Sequence, residues 1–197
     1  MKLIKFLISI FIITNLISIS HSNSIEPDVF VQSTVNRASE ALNNKYSKEE
    51  KIKKLKQIAS ESVDIRGIGF YTLGAYRKSI SENEKTQYEK LFEQYFLKSF
   101  SSRLAEYSNP EIEVVSKKKL NENYTMVSSI LVGTEQRPEV KIDWRIYTKN
   151  SDNPLIRDLI IEGLSLARTQ KEEFASIIQS NNGDINALFS ILKNFIK

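Results

Sequence analysis

Apolar residues recur at helical spacing as far as Asn109-Pro110 and alternate with period two beyond it, and this change of period constrains the fold more than any other feature of the chain. Before the change, Phe30, Val31, Val35, Ala38 and Leu42 trace one helix that Asp28 is placed to cap. Ser47 with Glu50 makes a capping box that opens a second, with Ile52, Leu55 and Ile58 inward. Ser81 with Glu84 repeats the device at the head of the longest helix, where Tyr88, Leu91, Phe92, Tyr95, Phe96, Phe100, Leu104 and Tyr107 form an aromatic stripe. Past Pro110, strands are predicted from Ile112, over Tyr124 to Val132, through Val140, Ile142, Trp144 and Ile146, and over Leu155 to Ile161 after a polar turn. Two closing helices follow, near Arg168 to Gln179 and Asp184 to Ile196. Helices, then an antiparallel meander, then helices make an α+β domain whose sheet buries one apolar face under the helices.

The N-terminus reads as an export signal over residues 1–22. Lys2 and Lys5 precede an apolar run from Phe6 to Ile19, and Ser18-Ile19-Ser20 or Ser20-His21-Ser22 offers small residues for cleavage. The run is shorter than the roughly 20 residues a spanning helix needs, and Thr14 and Asn15 interrupt it. Residues 23–197 remain as a single domain. Loss of Lys2 and Lys5 takes the balance from 28 basic against 24 acidic to 26 against 24, and the lysines at 48, 51, 53, 54 and 56 sit among Glu49, Glu50 and Glu61, as on a solvated helix face. No basic stripe for nucleic acid is expected.

The chain has no cysteine, and its one histidine, His21, lies at the edge of the signal. Nucleophile systems that need either side chain, and the usual zinc constellations, are thereby excluded from the mature domain. No metal, cofactor or catalytic residue is expected. Gly163-Leu164-Ser165-Leu166-Ala167 is read as a strand-to-helix turn rather than a nucleophile elbow, since alanine holds its last position. Gly67-Ile68-Gly69 lacks the third glycine of a dinucleotide loop and is read as close helix packing. Asp158 and Glu162 stand about 13 Å apart on an extended strand, beyond the span of paired glycosidase carboxylates, so structural roles are expected for both.

Two segments carry a resemblance. Leu73-Gly74-Ala75-Tyr76-Arg77-Lys78, followed by Ser81, Gln87 and Phe92, and Asp158-Leu159-Ile160-Ile161-Glu162-Gly163-Leu164-Ser165-Leu166, trailed by Gln170 and Phe174, resemble the two signatures of the MlaC or toluene-tolerance family of periplasmic phospholipid-binding proteins. Val63-Asp64, the strand Val140 to Arg145 and Gly183-Asp184 extend the match across the mature chain; Pro154 stands where members often carry tryptophan.

The resemblance implies a curved antiparallel sheet of about four strands enclosing, with N-terminal and C-terminal helices, an apolar cavity for acyl chains. It implies a monomeric periplasmic shuttle, part of an ABC-type transport system that maintains outer-membrane lipid asymmetry. The partners it implies are phospholipid, an inner-membrane ABC transporter complex and an outer-membrane lipoprotein complex. On that reading Tyr76, Phe92, Tyr95, Phe96, Phe100, Val140, Ile142, Trp144, Ile146, Leu164 and Leu166 line the cavity, and Arg77 or Arg145 meets the headgroup phosphate. Two alternatives stand beside it: an enzyme using Asp143 or Asp158 with Tyr76 for acid-base chemistry, and a periplasmic protein-binding adaptor.

Overall fold

The computed structural model describes residues 24–135 and 137–197; the expected signal peptide lies outside the described residues. Four helices come first. α1 (Pro27–Ala41) is entered through Glu26, with Pro27 in its first turn, where a missing N–H costs nothing. Asp28 is therefore not the cap that the sequence suggests. It lies inside the first turn, and with Glu26 it takes Lys117 Nζ of the sheet at 2.8 and 2.6 Å. Both expected capping boxes are present, Ser47–Glu50 opening α2 (Lys48–Ser62) and Ser81–Glu84 opening α4 (Glu82–Leu104). Between them lie α3 (Ile65–Thr72), capped by Asp64, and a short 3-10 helix, Gly74–Lys78.

The sheet is a fully antiparallel meander, β1 (Ile112–Asn121), β2 (Tyr124–Leu131), β3 (Val140–Tyr147), β4 (Leu155–Ile161) and β5 (Leu164–Ser165), in sequence order. The fifth strand is two residues long, too short to show a period in the sequence. β1 carries two register shifts, and Arg157 is an extra residue in β4 opposite the Arg145–Ile146 step. Such bulges bend a strand and raise its twist. α5 (Leu166–Ser180) and α6 (Ile185–Ile196) close the chain, α5 beginning two residues before the expected start because Ser165 caps it.

One core joins the sheet to the helices. Val127, Ile142, Trp144, Ile146 and Ile156 supply the sheet's inner face, meeting Val31 and Val35 of α1, Ile68 of α3, Tyr88 and Phe92 of α4, and apolar residues of α5 and α6. A smaller cluster of Ala41, Leu42, Leu55, Ile58 and Ala105 ties α1 and α2 to the end of α4. The expectation of close helix packing holds at Gly69 and not at Gly67. A Cβ on Gly69 would lie 2.8 Å from the Phe92 ring, so its absence lets α3 settle on α4. On Gly67 it would lie 2.5 Å from the Arg157 guanidinium, so there the space serves a polar contact.

Candidate functional site

Residues directly opposite each other on neighbouring antiparallel strands share a face of the sheet. The register therefore sorts the candidates. Ser129, Ile142, Ile161 and Leu164 form one continuous row, and Val127, Trp144 and Leu159 the next, both on the inner face. Trp144 Nε1 donates to Ser129 Oγ at 2.8 Å, and that hydroxyl donates to Ile142 O at 3.2 Å, so the ring's polar edge is satisfied inside an otherwise apolar wall. Ile142, Trp144 and Ile146 are buried and Val140 is half-buried.

Facing this wall, the α4 stripe makes an aromatic layer. Phe92 is buried edge-on to Phe174 with centroids 6.2 Å apart, and Tyr95 packs on Phe174 at 5.9 Å and on Phe195 at 4.9 Å. Tyr95 Oη donates to Gln170 Oε1 at 2.9 Å, which explains the spacing of Gln170 and Phe174 in the sequence, one bonding and one packing against the same helix. Burial holds the Tyr95 phenol above its usual pKa. Phe96 and Phe100 stack at 5.6 Å and, like Tyr76, are partly buried against the core.

The long signature is a hinge of hydrogen bonds. Ile161 and Leu164 pair across Glu162-Gly163, whose φ angles are +49° and +83°, the all-positive pattern of a type I′ hairpin turn. Glycine adopts that conformation freely. Glu162 tolerates it because its backbone N–H donates to Lys141 O at 3.1 Å and its carboxylate accepts from Lys141 N at 2.5 Å. Asp158, 4% exposed, accepts from Ser165 Oγ at 2.6 Å and from Ala167 N at 3.0 Å, and Ser165 Oγ in turn accepts from Arg168 N at 3.1 Å to cap α5. Asp158 and Glu162 thus hold the turn from strand to helix, in the structural roles expected. The turn leaves Leu164 and Leu166 59% and 43% exposed. Leu164 is the outermost residue of the inner-face row, at the rim of the sheet.

Arg77 is exposed on the 3-10 helix. Arg145 pairs with Met126 and Asp158, on the face opposite Trp144. It lines a cleft of about 370 Å³ walled by Gly67, Ile68 and Tyr71 of α3, by Leu120, Asn121 and Tyr124 of the β1–β2 hairpin, and by Arg157, Asp158 and Ala167. Arg145 Nη1 lies 3.7 Å from Asp158 Oδ2, whereas Arg157 is tied down: its Nε donates to Asp64 Oδ2 at 2.5 Å and its guanidinium sits 4.7 Å over the Tyr147 ring. Asp64 Oδ1 meanwhile accepts from Gly67 N at 2.7 Å. The arginine, the phenols and the hairpin tip of this cleft come from separate segments, and sequence reasoning singled out only Arg145 among them. Asp143 accepts from Ser128 Oγ at 2.5 Å and lies 3.4 Å from Lys141 Nζ. Among the described residues no group of three His, Cys, Asp or Glu side chains could hold a metal, and no helix is long and apolar enough to cross a membrane.

The chain is similar to a solved structure, the phospholipid-binding protein of Ralstonia solanacearum in complex with a phospholipid, with a TM-score of 0.72 and 17% identity over 87% of this chain and 97% of that one. The model of the MlaC protein family matches residues 32–194, taking in both signatures, the whole sheet and nearly all of α6. The chain therefore belongs to the MlaC family.

Proposed function

We propose that this protein is a periplasmic phospholipid shuttle, exported by its signal peptide, that carries lipid between an outer-membrane lipoprotein complex and an inner-membrane ABC transporter complex and so serves outer-membrane lipid asymmetry. The observation that carries the reading is family membership on a fold whose similar solved structure holds a phospholipid. On this reading the acyl chains enter between the inner face, at Val140, Ile142, Trp144 and Ile146, and the aromatic layer of Tyr76, Phe92, Tyr95, Phe96 and Phe100. Leu164 and Leu166 form the rim, and Arg77, exposed beside Tyr76, meets the phosphate.

The chemistry required is burial. Each methylene withdrawn from water contributes roughly 0.8 kcal/mol, so an apolar interior is sufficient and no reactive group is needed. The carboxylates available for acid-base work support this: Asp143 is bonded to Ser128, and both oxygens of Asp158 are taken by the α5 turn. The test is mass spectrometry of an organic extract of the purified mature protein. Phospholipid near one molecule per chain is expected. A lipid-free preparation from a lipid-rich host, with no melting shift on adding phospholipid, would overturn the proposal.

A further inference from the structure

Arg145 and Trp144 are adjacent on β3 and point to opposite faces, so Arg145 is turned away from the wall of the proposed lipid interior, while Ile68 and Ala167, which belong to the core, also line the cleft around it. We infer that this cleft is a second binding site, selective for a phosphate oxyanion.

Its two arginines have different tasks. Arg157 is held by Asp64 and by the Tyr147 ring and forms a fixed wall. Both oxygens of Asp158 already accept shorter hydrogen bonds from Ser165 and Ala167, so its 3.7 Å contact with Arg145 is Coulombic positioning rather than a bidentate fork. Arg145, with a side chain 38% exposed, lines the cleft and carries a planar set of donors not taken up by a short hydrogen bond to Asp158. Tyr71, Tyr124 and Asn121 line the same space and can supply neutral donors, a mixture that suits a phosphate monoanion or diester. The rim adds charge: Lys171 Nζ lies 5.3 Å over the Tyr71 ring, and Lys118 pairs with Met126 in the row that continues to Arg145. Leu120 and Ile68 give the cleft an apolar side, so the phosphate can belong either to a soluble phosphoryl compound or to a lipid headgroup presented by a bilayer.

The inference does not depend on the lipid interior, and the experiment separates the two. Inorganic phosphate is titrated into isotopically labelled lipid-loaded protein, following the amides of Gly67, Asn121 and Tyr124 and the Arg145 Nε–H. Saturable shifts are expected, weakened about tenfold in Arg145→Lys, which keeps the charge but loses the fork, and abolished in Arg145→Gln. Flotation with phosphatidylglycerol and phosphatidylcholine vesicles then distinguishes the sources. Arg145-dependent flotation assigns the site to a bilayer headgroup, and phosphate binding without flotation assigns it to a soluble ligand. Absence of shifts from both probes, or identical shifts in Arg145→Gln, would overturn the inference. So would loss of co-purified lipid in a folded Arg145→Gln protein, since Arg145 would then belong to the lipid interior and the shuttle reading would survive. Melting curves of both variants establish that they fold.

Discussion

At the scale of single residues, buried polar groups rather than apolar ones make the sharpest predictions. Tyr88 is fully buried on α4, its Oη 2.7 Å from Thr72 Oγ1, and burial drives its pKa far above the ordinary phenol value. The folded state therefore keeps a proton that the unfolded chain gives up near pH 10. The associated stability is complete below about pH 10 and falls as pH rises above it, by up to about 1.4 kcal/mol per pH unit for one proton. Tyr88→Phe should flatten that alkaline limb of a urea-melting series, while Thr72 retains its 2.7 Å bond to Gly69 O. Equal limbs in the two proteins would show that Tyr88 ionises in place. Asp158→Ala should cost about 2–3 kcal/mol, because it strands the Ser165 hydroxyl and the Ala167 N–H at the root of α5. Denaturant unfolding measures it, and a change below 0.5 kcal/mol would show that the turn holds without its carboxylate.

At the scale of elements, the β4–β5–α5 turn joins stability to the proposed function. Leu164 projects from a rigid two-residue turn at the open end of the row that begins inside at Ser129 and Ile142. Leu164→Glu is accordingly expected to leave the melting midpoint of the delipidated protein nearly unchanged, as exposed substitutions do, yet to strip lipid from the purified protein by placing a charge on the proposed entry path of the acyl chains. Unchanged lipid content in the folded variant would remove Leu164 from the entry path. The edges of the sheet are guarded by other means. Gln32 of α1 accepts from Val114 N at 3.2 Å, and its amide reaches Ile112 O at 3.5 Å, closing the first part of β1; three successive lysines, Lys117 to Lys119, occupy the exposed remainder. Charged edge strands resist pairing with another chain.

For the whole molecule, binding and stability are coupled. Mild delipidation should lower the melting temperature, because a ligand held only by the native state stabilises it, and added phospholipid should restore the loss. An unchanged midpoint would contradict that coupling. On the proposed shuttle function, buried acyl chains make spontaneous escape into water slow, and release then calls for a docked complex that opens or competes for the interior. Labelled phospholipid should remain on the protein beside bare liposomes and move when the liposomes carry the transporter complex. Rapid transfer to bare liposomes, unaltered by the complex, would indicate exchange by collision.

The sequence by itself determined the order of the longer elements, both capping boxes, the antiparallel meander and the structural character of Asp158 and Glu162, because these rest on local spacing: a serine three residues before a glutamate, or an alternation of two, acts within a few residues; α3, the 3-10 helix and β5 are too short to show there. Tertiary structure decided what spacing cannot express. Glu26 rather than Asp28 stands at the head of α1, with Pro27 in the first turn and Asp28 inside it, where it pairs with Lys117 of a distant strand. The bulge at Arg157 resets which β4 residues share a face with β3, and a one-residue shift moves every side chain across the sheet. Trp144 and Arg145, neighbours on β3 and both site candidates, end on opposite faces by strand alternation, and only the tertiary structure surrounds Arg145 with a cleft assembled from five separate segments.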